Sequence, residues 1–148
     1  MNYLLAGTAA GLAGAASVNL AHEVTRQITP QAPRVDIIGM RAVAKMCEAA
    51  GFEPPEHLRA ATLAGDMVVN SLYYGLVAIG GAKGAVAAGA ALGALGGIAG
   101  LVLPPRMNLG HAEVNRTRAT QTMIVAFYLA GGLVAGLTYR LLANAEAA

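Results

Sequence analysis

The sequence has a single cysteine, Cys47, and no tryptophan. One thiol excludes an intramolecular disulfide and any cysteine-rich metal site. Without indole rings, anchoring at a membrane–water interface falls to tyrosine and to basic side chains. Charge is also scarce: 12% of residues are Asp, Glu, Lys or Arg, against about 25% in an ordinary soluble domain. The net charge of +2 is too small to hold a nucleic acid, and none is expected as a partner. No phosphate-binding glycine loop, dinucleotide fingerprint, nucleophile elbow or Cys-based redox pair occurs, so the reaction classes those signatures carry lose their usual support.

Apolar residues make up 56% of the chain, and there are 19 glycines. The long uncharged runs predict an all-α integral membrane protein: a four-transmembrane-helix bundle with a short amphipathic interfacial helix between spans 1 and 2. The whole chain, 1–148, reads as one membrane domain. Spans are expected at about 3–24, 60–81, 84–103 and 119–142, each long enough for a bilayer of about 30 Å at 1.5 Å per residue. No Lys or Arg precedes the first run, which argues against a cleaved signal peptide. Gly7, Gly11 and Gly14 put small residues on one face of span 1. In span 3, Gly89, Gly93 and Gly97 repeat every four residues, as do Gly96 and Gly100. Such ridges suit close helix packing, inside the bundle or at an oligomer contact.

Thr29-Pro30-Gln31-Ala32-Pro33 ends the first helix, because proline lacks an amide donor and restricts its predecessor. Residues 34–50 then alternate with helical period. Val35, Ile38, Ala42, Val43 and Met46 form an apolar stripe, with Arg34, Arg41, Lys45 and Glu48 off it. This is the interfacial helix, expected to lie flat on the membrane; the alternative is a short helix packed on the bundle ends. Pro104-Pro105 is expected to end span 3. Eight of the ten basic residues fall in or beside segments 25–62 and 104–118, and only Lys83 and Arg140 fall on the other side. The positive-inside rule then makes both polar loops cytoplasmic and both termini external, with a bacterial inner (plasma) membrane as the expected location.

The same topology gathers the polar residues at one end. On a helix, Asn19, His22, Glu23 and Arg26 follow i, i+3, i+4, i+7 spacing and share a face. Arg59, Thr62, Asp66, Asn70 and Tyr73 do likewise in span 2. The candidate catalytic groups are His22, Glu23 and Asp66, as groups able to move a proton if desolvated. The candidate binding groups are Arg26, Asn70, Arg106, His111, Glu113, Asn115, Arg116 and Arg118. Arginine's planar fork suits carboxylate and phosphate alike.

His22, His111, Glu23, Asp66 and Glu113 are also metal-ligand types. However, Arg26 stands where a zinc-protease helix motif needs its second histidine. The sequence therefore assigns neither metal nor cofactor, and His22, at a helix end, is poorly placed to ligate haem.

The first expected function is a scaffold or accessory role, with the polar end binding an anionic lipid headgroup or a partner. A second is a membrane enzyme on a lipid-linked or phosphorylated substrate, using His22 and Asp66 with arginine clamps. A third is a small transporter or channel protomer, disfavoured by uncharged midplane segments. Membrane lipid, a homo-oligomer or a partner membrane protein are the expected partners. Against all three stands a purely structural use, in which Glu23–Arg and Asp66–Arg pairs simply lock helix ends together.

Overall fold

A computed structural model describes residues 3–145, and among them it contains six α-helices and no strand. The helices are α1 (Tyr3–Ile28), α2 (Val35–Ala49), α3 (Leu58–Gly75), α4 (Gly81–Arg106), α5 (Ala112–Asn115) and α6 (Arg118–Ala145), with a 3-10 turn at Leu76–Gly80 between α3 and α4. Three helical stretches are long and apolar enough to cross a membrane: Tyr3–Ile28, Leu58–Arg106 and Arg118–Ala145.

The middle stretch is two rods, not one. The Tyr73 hydroxyl donates to the Leu92 carbonyl at 2.8 Å, across 19 positions of sequence. On a continuous helix those positions would lie about 28 Å apart. The chain therefore doubles back, and Gly81, at φ 58°, supplies the left-handed backbone that a side chain would resist.

Neighbouring long helices run antiparallel. Gly11 of α1 meets Ser71 of α3, Gly14 meets Gly131 of α6, and Gly89 of α4 meets Gly132 of α6. A Cβ on Gly132 would come within 2.0 Å of the Gly89 carbonyl oxygen, and one on Gly11 within 2.0 Å of the Ser71 oxygen. At these crossings backbone touches backbone, so the absent side chains set the helix spacing. Val18, Tyr74, Ala85, Ala135 and Tyr139 fill the core beside them. Tyr74 is fully buried and spends its hydroxyl on the Tyr128 carbonyl at 2.8 Å. Large apolar side chains such as Val69, Leu72 and Ile79 of the α3 segment face outward, where only a nonpolar surrounding would cover them.

Antiparallel pairing brings segments 29–57 and 107–117 to the same end of the long helices. Thr29-Pro30 closes α1 as expected, four residues later than the expected boundary at 24. The prolines at 104 and 105 do not end α4. The helix runs to Arg106 with both inside its final turn. Proline at 105 removes the amide that would have bonded the Leu101 carbonyl. The Asn115 side chain replaces it, donating to that carbonyl at 3.0 Å. The turn then closes with Met107 N–H on the Leu103 carbonyl and Leu109 N–H on the Pro104 carbonyl, each at 2.9 Å. Asn115→Ala is expected to cost about 1–3 kcal/mol, the penalty of an unsatisfied buried acceptor. Thermal unfolding in detergent would read it, and an unchanged midpoint would show that another donor takes over.

Candidate functional site

α2 lies across the first half of α3, and the space between α1, α2 and α3 is an open cavity of about 990 Å³ at the polar end. Gly39 of α2 allows this approach, since a Cβ there would stand 2.5 Å from the Thr62 methyl. From α1, Asn19 and Glu23 turn toward α3. Glu23 accepts from Arg26 at 2.5 Å and from Arg59 at 3.1 Å. One turn deeper, Oδ2 of Asp66 accepts from the amides of Asn19, at 2.8 Å, and Asn70, at 2.9 Å. No cation pairs with Asp66 among the described residues, and no hydrogen bond reaches its Oδ1. Asp36 reaches the cavity from α2, with its carboxylate gripped by both arms of the Arg34 fork at 2.9 Å each.

His22 lines the same cavity but leaves the stripe expected for α1. Its ring turns toward α6 and meets Phe127 edge-on, with centroids 5.1 Å apart at 87°, and Tyr128 at 6.1 Å. Only 7% of the residue is exposed, and neither imidazole nitrogen has a hydrogen-bond partner. Two other cavity groups share that condition, Thr62 Oγ1 and Arg26 Nε. Apart from Ser71 Oγ, these are the buried side-chain polar atoms without a partner among the described residues. Native interiors leave few such atoms, and each calls for an explanation. Their concentration on the wall of one cavity is the main feature of the site.

The structure thus assembles His22, Glu23, Arg26, Asp66 and Asn70, the last through its amide on Asp66. It does not assemble the expected arginine clamp with them. Arg106, His111 and Arg118 are exposed and off the cavity. Arg116 donates to the Pro30 carbonyl, and Asn115 is the cap of α4 described above. Glu113 pairs with Arg41 at 2.7 Å. Among the described residues no three His, Cys, Asp or Glu side chains stand close enough to hold a metal ion. The candidate ligands are divided: His111 and Glu113 lie outside the cavity that holds His22, Glu23 and Asp66.

Thr62 and Arg59 belong to the site though neither was among the candidate groups. Their spacing with Asp66 on α3 was the available signal. Asp36 had no such signal, because its place depends on how α2 docks.

That docking uses the basic face of α2. Arg41 donates to the Leu109 carbonyl at 2.6 Å as well as to Glu113, and Lys45 donates to the carbonyls of Met107 at 3.0 Å and Asn108 at 3.2 Å. Met46, on the apolar stripe, is 71% exposed. Hydrogen bonding to its own backbone amide, reinforced by the Arg41 guanidinium, holds the Glu113 carboxyl below the usual carboxylate range. A carboxyl depressed in the folded state contributes stability above its unfolded value of about 4.3. That contribution is lost as pH falls through the folded value. Acidification below about pH 4 is therefore expected to loosen α2 from the 107–113 loop. The protection of the α2 amides, corrected for the intrinsic pH dependence of exchange, should fall there, and in Glu113→Gln it should already be low at neutral pH and change little on acidification. If α2 protection in the parent protein were flat across that range, the clasp would not depend on this ion pair.

The chain matches no known family model, no curated protein and no solved structure.

Proposed function

We propose that this is a four-pass membrane protein that binds a membrane lipid by its headgroup, in a scaffold or accessory role. The hairpin reversal at Gly80–Gly81 supports four crossings, with α1, α3, α4 and α6 as the spans. The excess of basic residues at the polar end supports a cytoplasmic orientation for that end, in a bacterial inner membrane. α2 then lies at the interface as the roof of the cavity. Its basic face is spent on the 107–113 loop, so the lipid contact moves to the cavity and to the exposed Arg106 and Arg118. Glycine contacts between α4 and α6 hold the bundle.

One observation carries the binding role: His22, Thr62 and Arg26, all lining the open cavity, each hold a buried polar atom that has no hydrogen-bond partner. A phosphate group supplies acceptors for all three. Exposed apolar side chains at the mouth, Leu20 at 65% and Leu63 at 53%, offer a sideways path for the attached chains. Native mass spectrometry of the gently extracted protein tests this. About one lipid-mass adduct per chain is expected, lost in a folded Thr62→Leu variant that fills the cavity. A parent protein without adduct, or an adduct that survives the filled cavity, would defeat the reading.

A membrane enzyme is the second reading, because His22 and Asp66 line one cavity and neither has an ion-pair partner among the described residues. It requires the bound headgroup to change mass on incubation in the same spectra.

A further inference from the structure

We infer that the headgroup bound in the cavity carries an ammonium group, and that Asp66 is its receptor. The inference rests on the lipid-binding reading and narrows it. The argument begins with charge. Four carboxylates line the cavity, those of Glu23, Asp36, Glu56 and Asp66, against the two guanidinium groups of Arg26 and Arg59. Both arginines already bond Glu23, and Asp36 has Arg34. With Arg34 counted beside Asp36, the wall is negative by one charge with histidine neutral, and a purely anionic headgroup would meet that excess. A headgroup that brings its own cation would not.

Asp66 is the place for that cation. A partly buried carboxylate ordinarily has a cationic partner or a full set of donors. Asp66 has two amides, both on Oδ2, while Oδ1 remains without a hydrogen bond. Asn19 is itself fixed by donating to the Ala15 carbonyl at 3.0 Å, so Asp66 is oriented before any ligand arrives. The second observation is independent of the acid. The His22 imidazole, nine-tenths buried, is unpartnered in the same wall. A neutral imidazole offers one donor and one acceptor, which suits a ligand bearing both phosphate oxygens and ammonium hydrogens.

Spacing agrees. Thr62 and Asp66 are one turn apart on α3, about 6 Å along its axis, comparable with phosphate-to-ammonium separation across a two-carbon linker. Phosphate at Thr62, Arg26 and His22 would therefore leave the amine within reach of Asp66.

The test offers the protein equal amounts of two short-chain phospholipids in one detergent solution and reads both adducts by native mass spectrometry. Dioctanoyl phosphatidylethanolamine has the amine; dioctanoyl phosphatidylglycerol has the same phosphate and chains without it. The parent protein is expected to take up the amine-bearing lipid at least tenfold more. Asp66→Asn, with its thermal midpoint checked, is expected to bring the ratio near one while adducts persist. Gly65→Ala, beside Asp66 in sequence but off the cavity wall and with open space for its methyl, should retain the preference. Equal uptake by the parent, or preference for phosphatidylglycerol, overturns the ammonium assignment and leaves lipid binding standing. A preference that survives Asp66→Asn moves the receptor elsewhere and also overturns it. No adduct of either lipid defeats the lipid-binding reading itself.

Discussion

Gly132→Ala is expected to destabilise the protein by about 3 kcal/mol, the upper end of what overpacking a tight interior costs. The added methyl would stand 2.0 Å from the Gly89 carbonyl oxygen and 2.9 Å from the Gly93 amide nitrogen. Both obstacles are backbone, so no rotamer change relieves them, and α4 must move away from α6 along the length of their contact. Gly89→Ala should behave alike, since its Cβ would meet the Gly132 oxygen at 2.1 Å. Gly65→Ala is the control. Nothing lies within 4 Å of a Cβ there, and the higher helix propensity of alanine favours it by up to about 1 kcal/mol. Thermal unfolding in detergent should therefore order the variants with Gly65→Ala at or above the parent and the two seam variants well below. If all three melted together, the α4–α6 approach would be looser than described.

The second large effect has opposite signs for stability and binding. His22→Phe keeps an aromatic ring against Phe127 and Tyr128 and removes two buried nitrogens that have no partner. An unsatisfied buried polar group costs about 1–3 kcal/mol. The ligand-free variant is expected to gain about 1–2 kcal/mol, because part of that penalty disappears. It should also lose the lipid adduct, because the donor–acceptor pair proposed for the ligand is gone. Such opposition is the mark of a group kept for binding at the expense of stability. A variant that melts earlier than the parent would show that the imidazole is already satisfied, by water for example, and the main support for the site would go with it.

Much of this arrangement was legible in the sequence because it depends on local periodicity. The i, i+4 ladder of glycines in α4 and the run Arg59, Thr62, Asp66, Asn70 on α3 are properties of one helix each. Thr29-Pro30 ends α1 for the same local reason. Longer-range relations were not legible. Pro104-Pro105 reads as a stop until Asn115, 14 residues away in sequence, supplies the donor that the ring removed. His22 shares helical spacing with Asn19 and Glu23, yet the 60–100° that separates neighbours on a helix was enough to send it to α6 and the others to α3. The arginines of the 106–118 segment looked like a clamp because the topology places them at the correct end. Being at one end does not bring side chains into one cavity, and the docking of α2 on that segment decides which of them remain free.

The cavity roof has a kinetic consequence. α2 has no fully buried residue and is tied to the 107–113 loop chiefly by Arg41 and Lys45. An element held by a few polar contacts opens at a small fraction of the global unfolding free energy. α2 should therefore exchange its amides through local excursions while α4 and α6, joined backbone to backbone, exchange only with the whole fold. Because the cavity already opens sideways past Leu20 and Leu63, such excursions would uncover a bound headgroup from above as well, and loss of the clasp at Glu113 should shorten its stay without being required for its exit.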